Sequence, residues 1–102
     1  MSEIIGLAGC GRMGAAMVAA LRRAGIAARG YDIVAGRGDD APLDAFTGGL
    51  TTLISVVRDA DETDALLFDT QALAACPDLQ TIIISSTLSP VYTRGLRARV
   101  PA

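Results

Sequence analysis

The hydrophobic pattern of this chain alternates between short apolar runs and segments with helical spacing. Four runs are rich in apolar or β-branched residues and have the length of strands, at residues 4–8, 26–32, 51–57 and 81–85. Between them, apolar residues recur at intervals of three and four, as they do on one face of a helix. These connections are too long for hairpins, so the pattern predicts an α/β domain with a parallel sheet.

Local signals bound the helices of the first half. The first helix is predicted over residues 12–24, with Gly25 ending it and with Met13, Met17, Leu21 and Ala24 on its apolar face. A short helix is predicted from Pro42 to the glycine pair that follows residue 47.

The second half carries similar signals. Asp59 precedes Glu62 by three residues, which is the capping-box spacing and predicts a helix after the third strand. Residues 68–76 predict a further helical turn or two. Ser89 as N-cap and Pro90 as first helical residue predict a last helix over 90–99.

These elements predict one domain over residues 1–102, with the architecture of a partial, Rossmann-type, doubly wound parallel sheet. The expected strand order is 3-2-1-4, with right-handed crossovers. The fourth run is apolar without interruption, which predicts a strand buried on both faces.

A glycine-rich loop joins the first strand to the first helix with the pattern Gly-x-Gly-x-x-Gly. In such a loop the first glycine permits a tight turn, the second lets the backbone approach a pyrophosphate, and the third lets the helix lie close to the sheet. The helix amides and the positive end of the helix dipole then face the phosphates. The loop consists of Gly9, Cys10, Gly11, Arg12, Met13 and Gly14.

An acid stands where the second strand ends. Asp32 lies 23 positions after Gly9, near the offset of about 20 residues expected for an acid that binds the adenosine ribose. A carboxylate there accepts hydrogen bonds from the ribose hydroxyls and repels a 2′-phosphate, which favours NAD over NADP. Arg37, five residues further on, is suited to contact such a phosphate and leaves NADP open.

The composition argues against several classes of partner. Hydrophobic residues make up 51% of the chain and the mean hydropathy is +0.42, which predicts a packed core. The net charge is −2 and no basic run occurs, so neither a nucleic-acid surface nor a polybasic membrane anchor is indicated. Without a long apolar stretch or the basic start of a signal peptide, we expect a cytoplasmic protein that does not enter the membrane.

Neither the cysteines nor the loop acids indicate a metal site. Cys10 and Cys76 lack metal-ligand spacing and are expected to be free thiols. The acids at positions 39, 40 and 44 have no histidine or cysteine nearby and are expected to form a solvated face. All nine basic residues are arginines and the chain has no histidine. A mechanism that needs a lysine or imidazole cannot be completed within these residues.

With these motifs in hand, the chain resembles the N-terminal NAD-binding domain of the β-hydroxyacid dehydrogenases. This family includes 3-hydroxyisobutyrate dehydrogenase, tartronate semialdehyde reductase and 6-phosphogluconate dehydrogenase. The resemblance covers residues 4–99. It is carried by the glycine loop, by Gly30-Tyr31-Asp32 and, most specifically, by the segment 86–90 (Ser-Thr-Leu-Ser-Pro) after the fourth strand.

The resemblance implies hydride transfer between NAD, or NADP, and a short-chain 3-hydroxy acid. It implies that residues 9–14 hold the pyrophosphate and that Asp32 holds the ribose. Val57 and Arg58 are implied to line the nicotinamide half of the cofactor, and Thr87 to lie near the nicotinamide and the substrate. In the family a glycine-rich substrate segment and a catalytic lysine come later in the chain. We therefore expect this chain to be a truncated part of such an enzyme, without activity of its own.

Two further expectations concern partners and alternatives. The apolar fourth strand, left at a sheet edge, invites pairing with a second copy, so we expect a homo-oligomer. A non-catalytic dinucleotide-binding or interaction module with the same fold is the alternative function. The glycine loop by itself also permits binding of FAD or S-adenosylmethionine, against which the segment 86–90 argues.

Overall fold

Short parallel strands alternate with helices along the chain, as the apolar pattern predicts. The computed structural model describes residues 3–9, 11–32, 38–39, 43–57, 59–69, 71–85 and 90–99. The elements in chain order are β1 (Ile5–Ala8), α1 (Arg12–Arg23), β2 (Ala28–Tyr31), α2 (Leu43–Thr47), β3 (Thr52–Ser55), α3 (Ala60–Leu67), a 3-10 helix (Leu73–Ala75), β4 (Thr81–Ile84) and α4 (Pro90–Arg99).

The strands form one parallel sheet in the order β2-β1-β3-β4. Within it, Ile5 of β1 is level with Ala28 of β2 on one side and with Thr52 of β3 on the other. The Rossmann-type α/β fold is confirmed. The predicted strand order 3-2-1-4 is wrong, because β3 pairs with β1 rather than β2, and β4 pairs with β3 rather than β1.

A glycine in β1 gives the physical reason for this order. A Cβ on Gly6 would lie 2.5 Å from Leu50 Cδ1 and 2.6 Å from Phe46 Cζ, so the connection through α2 packs directly on β1 and carries the chain across it. Thr51 then fixes the register: its Oγ1 accepts from Ile4 N at 3.0 Å and donates to Ile4 O at 3.1 Å. The two partners are 47 positions apart, and the local sequence pattern does not predict the contact.

The sheet divides the core into two clusters, because successive strand side chains point to opposite faces. On one face α1 packs through Val18 against Leu7 and Ile54. The other face is larger and is covered by α2, α3, the 3-10 helix and α4. Its buried members are Ala8, Phe46, Leu50, Leu53, Leu66, Leu67, Leu73, Ala74 and Leu96.

β4 is less buried than its sequence predicts. Ile82 and Ile84 pack against the larger cluster, but Ile83 is 46% exposed. The expected burial on both faces is wrong for this strand. It pairs only with β3, and although Ile83 is level with Ile54, it belongs to neither core cluster of the described residues.

Most helix predictions are confirmed, with two corrections. Residues 68–76 form only the 3-10 helix, which follows a left-handed Ala72 (φ 51°). In α1 the buried residues are Gly14 and Val18, whereas Met13 is 65% exposed. Met17 and Leu21 are partly buried against the Leu7 cluster, as the pattern predicts, while the approach of α1 to the sheet at Gly14 leaves Met13 exposed. Among the described residues no helix is long and apolar enough to cross a bilayer.

Candidate functional site

A crevice opens at the carboxyl ends of β1 and β3. These strands are neighbours, yet the helices that follow them lie on opposite faces: α1 packs with the Leu7 cluster and α3 with the larger cluster. Where the connections of adjacent parallel strands diverge in this way, an α/β sheet has its ligand-binding position. The glycine loop follows β1 and therefore lies at this crevice.

Gly9 is the residue at which three strand ends meet. Its N–H donates to Tyr31 O at 2.9 Å, which joins it to the end of β2. Its φ is +101°, and a Cβ there would lie 2.7 Å from Val56 O, just after β3. Only glycine combines this backbone conformation with such close contact. The turn therefore sits directly on its two neighbouring strands.

Gly14 and Gly11 serve different purposes in the loop. A Cβ on Gly14 would collide with Gly9 O, so the missing side chain lets α1 lie against the loop and the sheet. A Cβ on Gly11 would meet no atom of the described residues within 4 Å. Gly14 is thus required by the protein itself, whereas the space beside Gly11 is available to a ligand.

The N-terminus of α1 is left open. Gly11 is its N-cap residue, no side chain caps the helix, and its first turn contains no acid. The first helical hydrogen bond runs from Ala15 N to Gly11 O at 2.9 Å, so the amides before it are not used by the helix ladder. Arg12 is exposed beside them. Amides outside the helix ladder and a positive dipole end are the features with which helix N-termini bind anions.

Asp32 follows the end of the strand that is bonded to the glycine loop. It follows the last residue of β2 and is half-buried. Because Tyr31 O accepts from Gly9 N, the acid is one residue from a direct bond to the glycine loop. Tyr31 packs on Phe46 with ring centroids 5.3 Å apart, which supports the strand from the opposite face to α1.

The remaining predicted site residues are brought together only in part. Val57 follows β3, packs against the larger cluster, and its N lies 3.3 Å from the Cβ position of Gly9. Cys10, Arg58 and Thr87, like Arg37, lie outside the described residues. The observed strand order places β3 between the glycine loop and the end of β4, so Ser85 is two strand spacings, or about 10 Å, from the line of β1.

Sequence reasoning missed a polar contact on the outer side of β2. Arg22 and Asp39 form an ion pair of 2.8 Å, and Asp39 Oδ2 accepts from Gly30 N at 3.0 Å. Burial raises the pKa of Asp39. The hydrogen bonds from Arg22 and Gly30 and the charges of Arg22 and Arg29 together lower this pKa by more than burial raises it, so it lies below the usual value. Asp39 therefore does not belong to a merely solvated face. The local signal was Gly38 before an acid, but the sequence does not show its partner.

A second polar contact joins α3 to α4. Tyr92 Oη donates to Asp64 Oδ1 at 2.6 Å, and Arg99 donates to the same oxygen at 2.8 Å while lying over the Phe68 ring. The hydrogen bond from Tyr92 lowers the pKa of Asp64. Burial, together with the Asp64 carboxylate, raises the pKa of Tyr92 to about 12. This network holds the last helix in place away from the glycine loop.

The cysteine and the acids do not assemble into a second site. Cys76 is a free thiol, as expected, and burial raises its pKa. In the part of the chain that the structure describes, no group of three or more histidine, cysteine, aspartate or glutamate residues is arranged to hold a metal ion.

The crevice, the open helix end and the acid after β2 together define a dinucleotide-binding domain of Rossmann type. Among protein families, the NAD binding domain of 6-phosphogluconate dehydrogenase matches residues 4–102. The chain belongs to this family, and its cofactor is NAD or NADP. The resemblance to the N-terminal domain of the β-hydroxyacid dehydrogenases is thereby confirmed. No curated protein matches the chain.

Proposed function

We propose that this chain binds NAD as the cofactor-binding portion of an oxidoreductase that transfers hydride between NAD and a short-chain 3-hydroxy acid. The observation that carries the cofactor half of this proposal is the uncapped N-terminus of α1, beside a Gly11 whose Cβ position is empty. The substrate half rests on the resemblance of the segment 86–90 to that dehydrogenase family.

In this proposal the pyrophosphate is held by the loop after β1. The exposed guanidinium of Arg12 adds a positive charge next to the helix amides. Val57 lines the cofactor from the end of β3. By the same family resemblance, Cys10 joins the glycine loop, Arg58 contacts the nicotinamide half, and Thr87 lies near the nicotinamide and the substrate.

The preference for NAD over NADP is assigned to Asp32. A carboxylate accepts hydrogen bonds from both ribose hydroxyls, whereas a 2′-phosphate at the same place would bring like charges together. Since all nine basic residues are arginines, no lysine or histidine is available for acid–base catalysis. We assign no catalytic residue to residues 1–102, and we expect this dinucleotide-binding domain by itself to turn over no substrate.

We further propose that the chain, which we place in the cytoplasm, associates with a second copy through β4. The N–H groups of Thr81 and Ser85 donate to β3. Because N–H groups alternate in direction along a strand, those at the even-numbered positions between these two residues point away from β3. No charged side chain lies on β4, and therefore nothing repels an identical strand. Sedimentation is expected to show a dimer that Ile83→Lys disrupts and that Val91→Lys, on the exposed side of α4, preserves. A monomer at all concentrations contradicts this part.

Titration with NADH, NADPH and FAD, followed by fluorescence, tests the cofactor proposal. We expect NADH to bind most tightly and FAD not at all. Equal and negligible binding of all three contradicts the proposal. Binding of NADH by the whole enzyme without oxidation of any short 3-hydroxy acid would favour the non-catalytic alternative.

A pair of glycine variants separates a ligand effect from a folding effect. Gly11→Ala places a methyl group where the described part of the chain has no atom within 4 Å, so the melting temperature is expected to stay unchanged. NADH binding is expected to weaken by about tenfold or more, which corresponds to ~1.4 kcal/mol. Gly95→Ala on α4 also meets no atom within 4 Å and serves as the matched control, with binding unchanged. Equal affinity of both variants contradicts the assignment of the pyrophosphate site.

A further inference from the structure

In the described part of the chain, the outer edge of β2 is bonded by Arg22 and Asp39 and not by a further strand. Ala28 O accepts from Arg22 Nε at 3.1 Å and from Arg22 Nη2 at 3.0 Å. Two residues on, Gly30 O accepts from Asp39 N at 3.0 Å, and Gly30 N donates to Asp39 Oδ2 at 3.0 Å. Asp39 therefore satisfies both outward-facing backbone groups of Gly30, as a neighbouring strand would.

Arg22 and Asp39 are also bound to each other. Arg22 Nη2 donates to Asp39 Oδ1 at 2.8 Å and to Oδ2 at 2.9 Å. An isolated surface ion pair contributes little to stability. This pair differs because each member also holds the backbone of β2, so the contacts form a network rather than a single bridge.

Gly38 makes the close approach possible. Its φ is +68°, and a Cβ on it would lie 2.9 Å from both Gly30 C and Gly30 O. The chain therefore lies directly against β2 just before Asp39, in a conformation that residues other than glycine rarely adopt. We call Arg22, Gly38 and Asp39 together the β2 clasp.

The clasp acts immediately before the acid assigned to the ribose. On the inner side of β2, Tyr31 O is held by Gly9 N at 2.9 Å. On the outer side, Gly30 is held by Asp39. Both residues that precede Asp32 are thus fixed, one by the glycine loop and one by the clasp.

We propose that Arg22 and Asp39 are positioning residues that hold Asp32 in the orientation that discriminates NAD from NADP. The inference rests on the proposed function and adds two residues that do not touch the cofactor. Movement of Asp32 removes a hydrogen-bond acceptor from the ribose of NAD. The same movement relieves the repulsion of the 2′-phosphate of NADP, so the clasp affects the two cofactors unequally.

The test measures dissociation constants for NADH and NADPH in Arg22→Ala, Asp39→Ala and the double variant. We expect each single variant to weaken NADH binding about fivefold and to leave NADPH binding within about twofold. The double variant is expected to be no weaker than the single variants, because removal of either partner opens the same network. A purely stabilising role would lower the melting temperature but leave the ratio of the two constants unchanged.

Arg23→Ala is the matched control, because Arg23 is the next residue of α1, is exposed, and its side chain makes no hydrogen bond or ion pair within the described residues. It is expected to leave the ratio as in the wild type. If Asp39→Ala does not fold, Asp39→Asn keeps the shape of the side chain and removes the charge, and a narrowed ratio is again expected. An unchanged ratio in folded clasp variants overturns the inference. Failure of the wild type to bind NADH overturns the proposed function instead.

Discussion

Two helices begin at the same edge of the sheet, and their N-termini are opposite in character. α3 begins at Asp59, whose Oδ1 accepts from Glu62 N at 2.9 Å, and its first turn contains Asp61 and Glu62. α1 begins at Gly11, with no side-chain cap and no acid in its first turn. α3 therefore supplies its own anion, and α1 leaves its positive end for an anion from outside.

The helices also differ in what they are tied to. Arg22, in the last turn of α1, is bound to Ala28 at the start of β2 and to Asp39, which holds the same strand two residues before Asp32. Asp64 of α3 is bound to Tyr92 and Arg99 of α4. The contacts of Arg22 tie α1 to the outer edge of β2, whereas those of Asp64 tie α3 to α4. In this sheet, the helix whose first turn is capped by a side chain packs on another helix, and the helix without such a cap lies at the crevice.

Filling the space beneath α1 at Gly14 should have the largest effect on stability and on NADH binding. In Gly14→Ala the added Cβ collides with Gly9 O, and because this contact is with backbone, the helix must move away from the sheet. We expect the free energy of unfolding to fall by about 3 kcal/mol or more, with loss of NADH binding. Chemical denaturation measures the first effect. A variant as stable as the wild type would mean that α1 does not approach the loop as closely as described.

Giving α1 a side-chain cap like that of α3 should stabilise the helix and weaken NADH binding. In Gly11→Asp the new carboxylate is placed to accept from the first-turn amides, as Asp59 does in α3. We expect stability to rise by a few tenths of a kcal/mol. NADH binding should weaken about 100-fold, since a fixed negative charge occupies the place of the diphosphate. Calorimetric titration checks the affinity, and unaltered binding would contradict the comparison.

Removing the cap of α3 should affect stability alone. Asp59→Ala leaves Glu62 N without its partner, and the expected cost is about 1 kcal/mol of unfolding free energy. The affinity for NADH should remain within about twofold, because α3 is not the phosphate-binding helix. A large loss of affinity in a folded variant would show that the second N-terminus also contacts the ligand.

The smallest expected effect is the loss of stability at high pH that follows from the hydrogen bond between Tyr92 of α4 and Asp64 of α3. The pKa of Tyr92 is raised from 10.0 to about 12 in the folded protein. The folded state therefore holds this proton between pH 10 and pH 12 while the unfolded state loses it. The stabilisation is complete below pH 10 and declines as the pH rises towards 12. Denaturation of the wild type across this range should show a decline that is shallower in Tyr92→Phe. Parallel curves would contradict the assignment.

The sequence predicts local features well and long-range ones poorly. The capped start of α3, the start of α4 at Pro90 and the open glycine loop follow from residues within a few positions of each other. The strand order depends on Gly6 lying beneath Phe46 and Leu50, which are far along the chain. Their contact has no local signature, and so the expected order placed β3 on the wrong side of β1.

The same distinction holds for the site. Gly9, Gly11 and Gly14 are recognisable because their spacing is local and each has a steric reason. The ion pair between Arg22 and Asp39 spans 17 positions and joins a helix end to a loop. From sequence, Arg22 is explained by the helix dipole and Asp39 by solvation. Only their contact with β2 shows that they act together.

The most direct measurement of the central claim is an NMR titration with NADH that follows the chemical shift of each backbone amide. If the open end of α1 receives the diphosphate, the largest shifts will fall on the amides of Gly11, Met13 and Gly14, with smaller shifts at Asp32. The amides of Asp61 and Glu62 at the capped end of α3 will shift little. Large shifts at the α3 end, with none in the first turn of α1, would contradict the account.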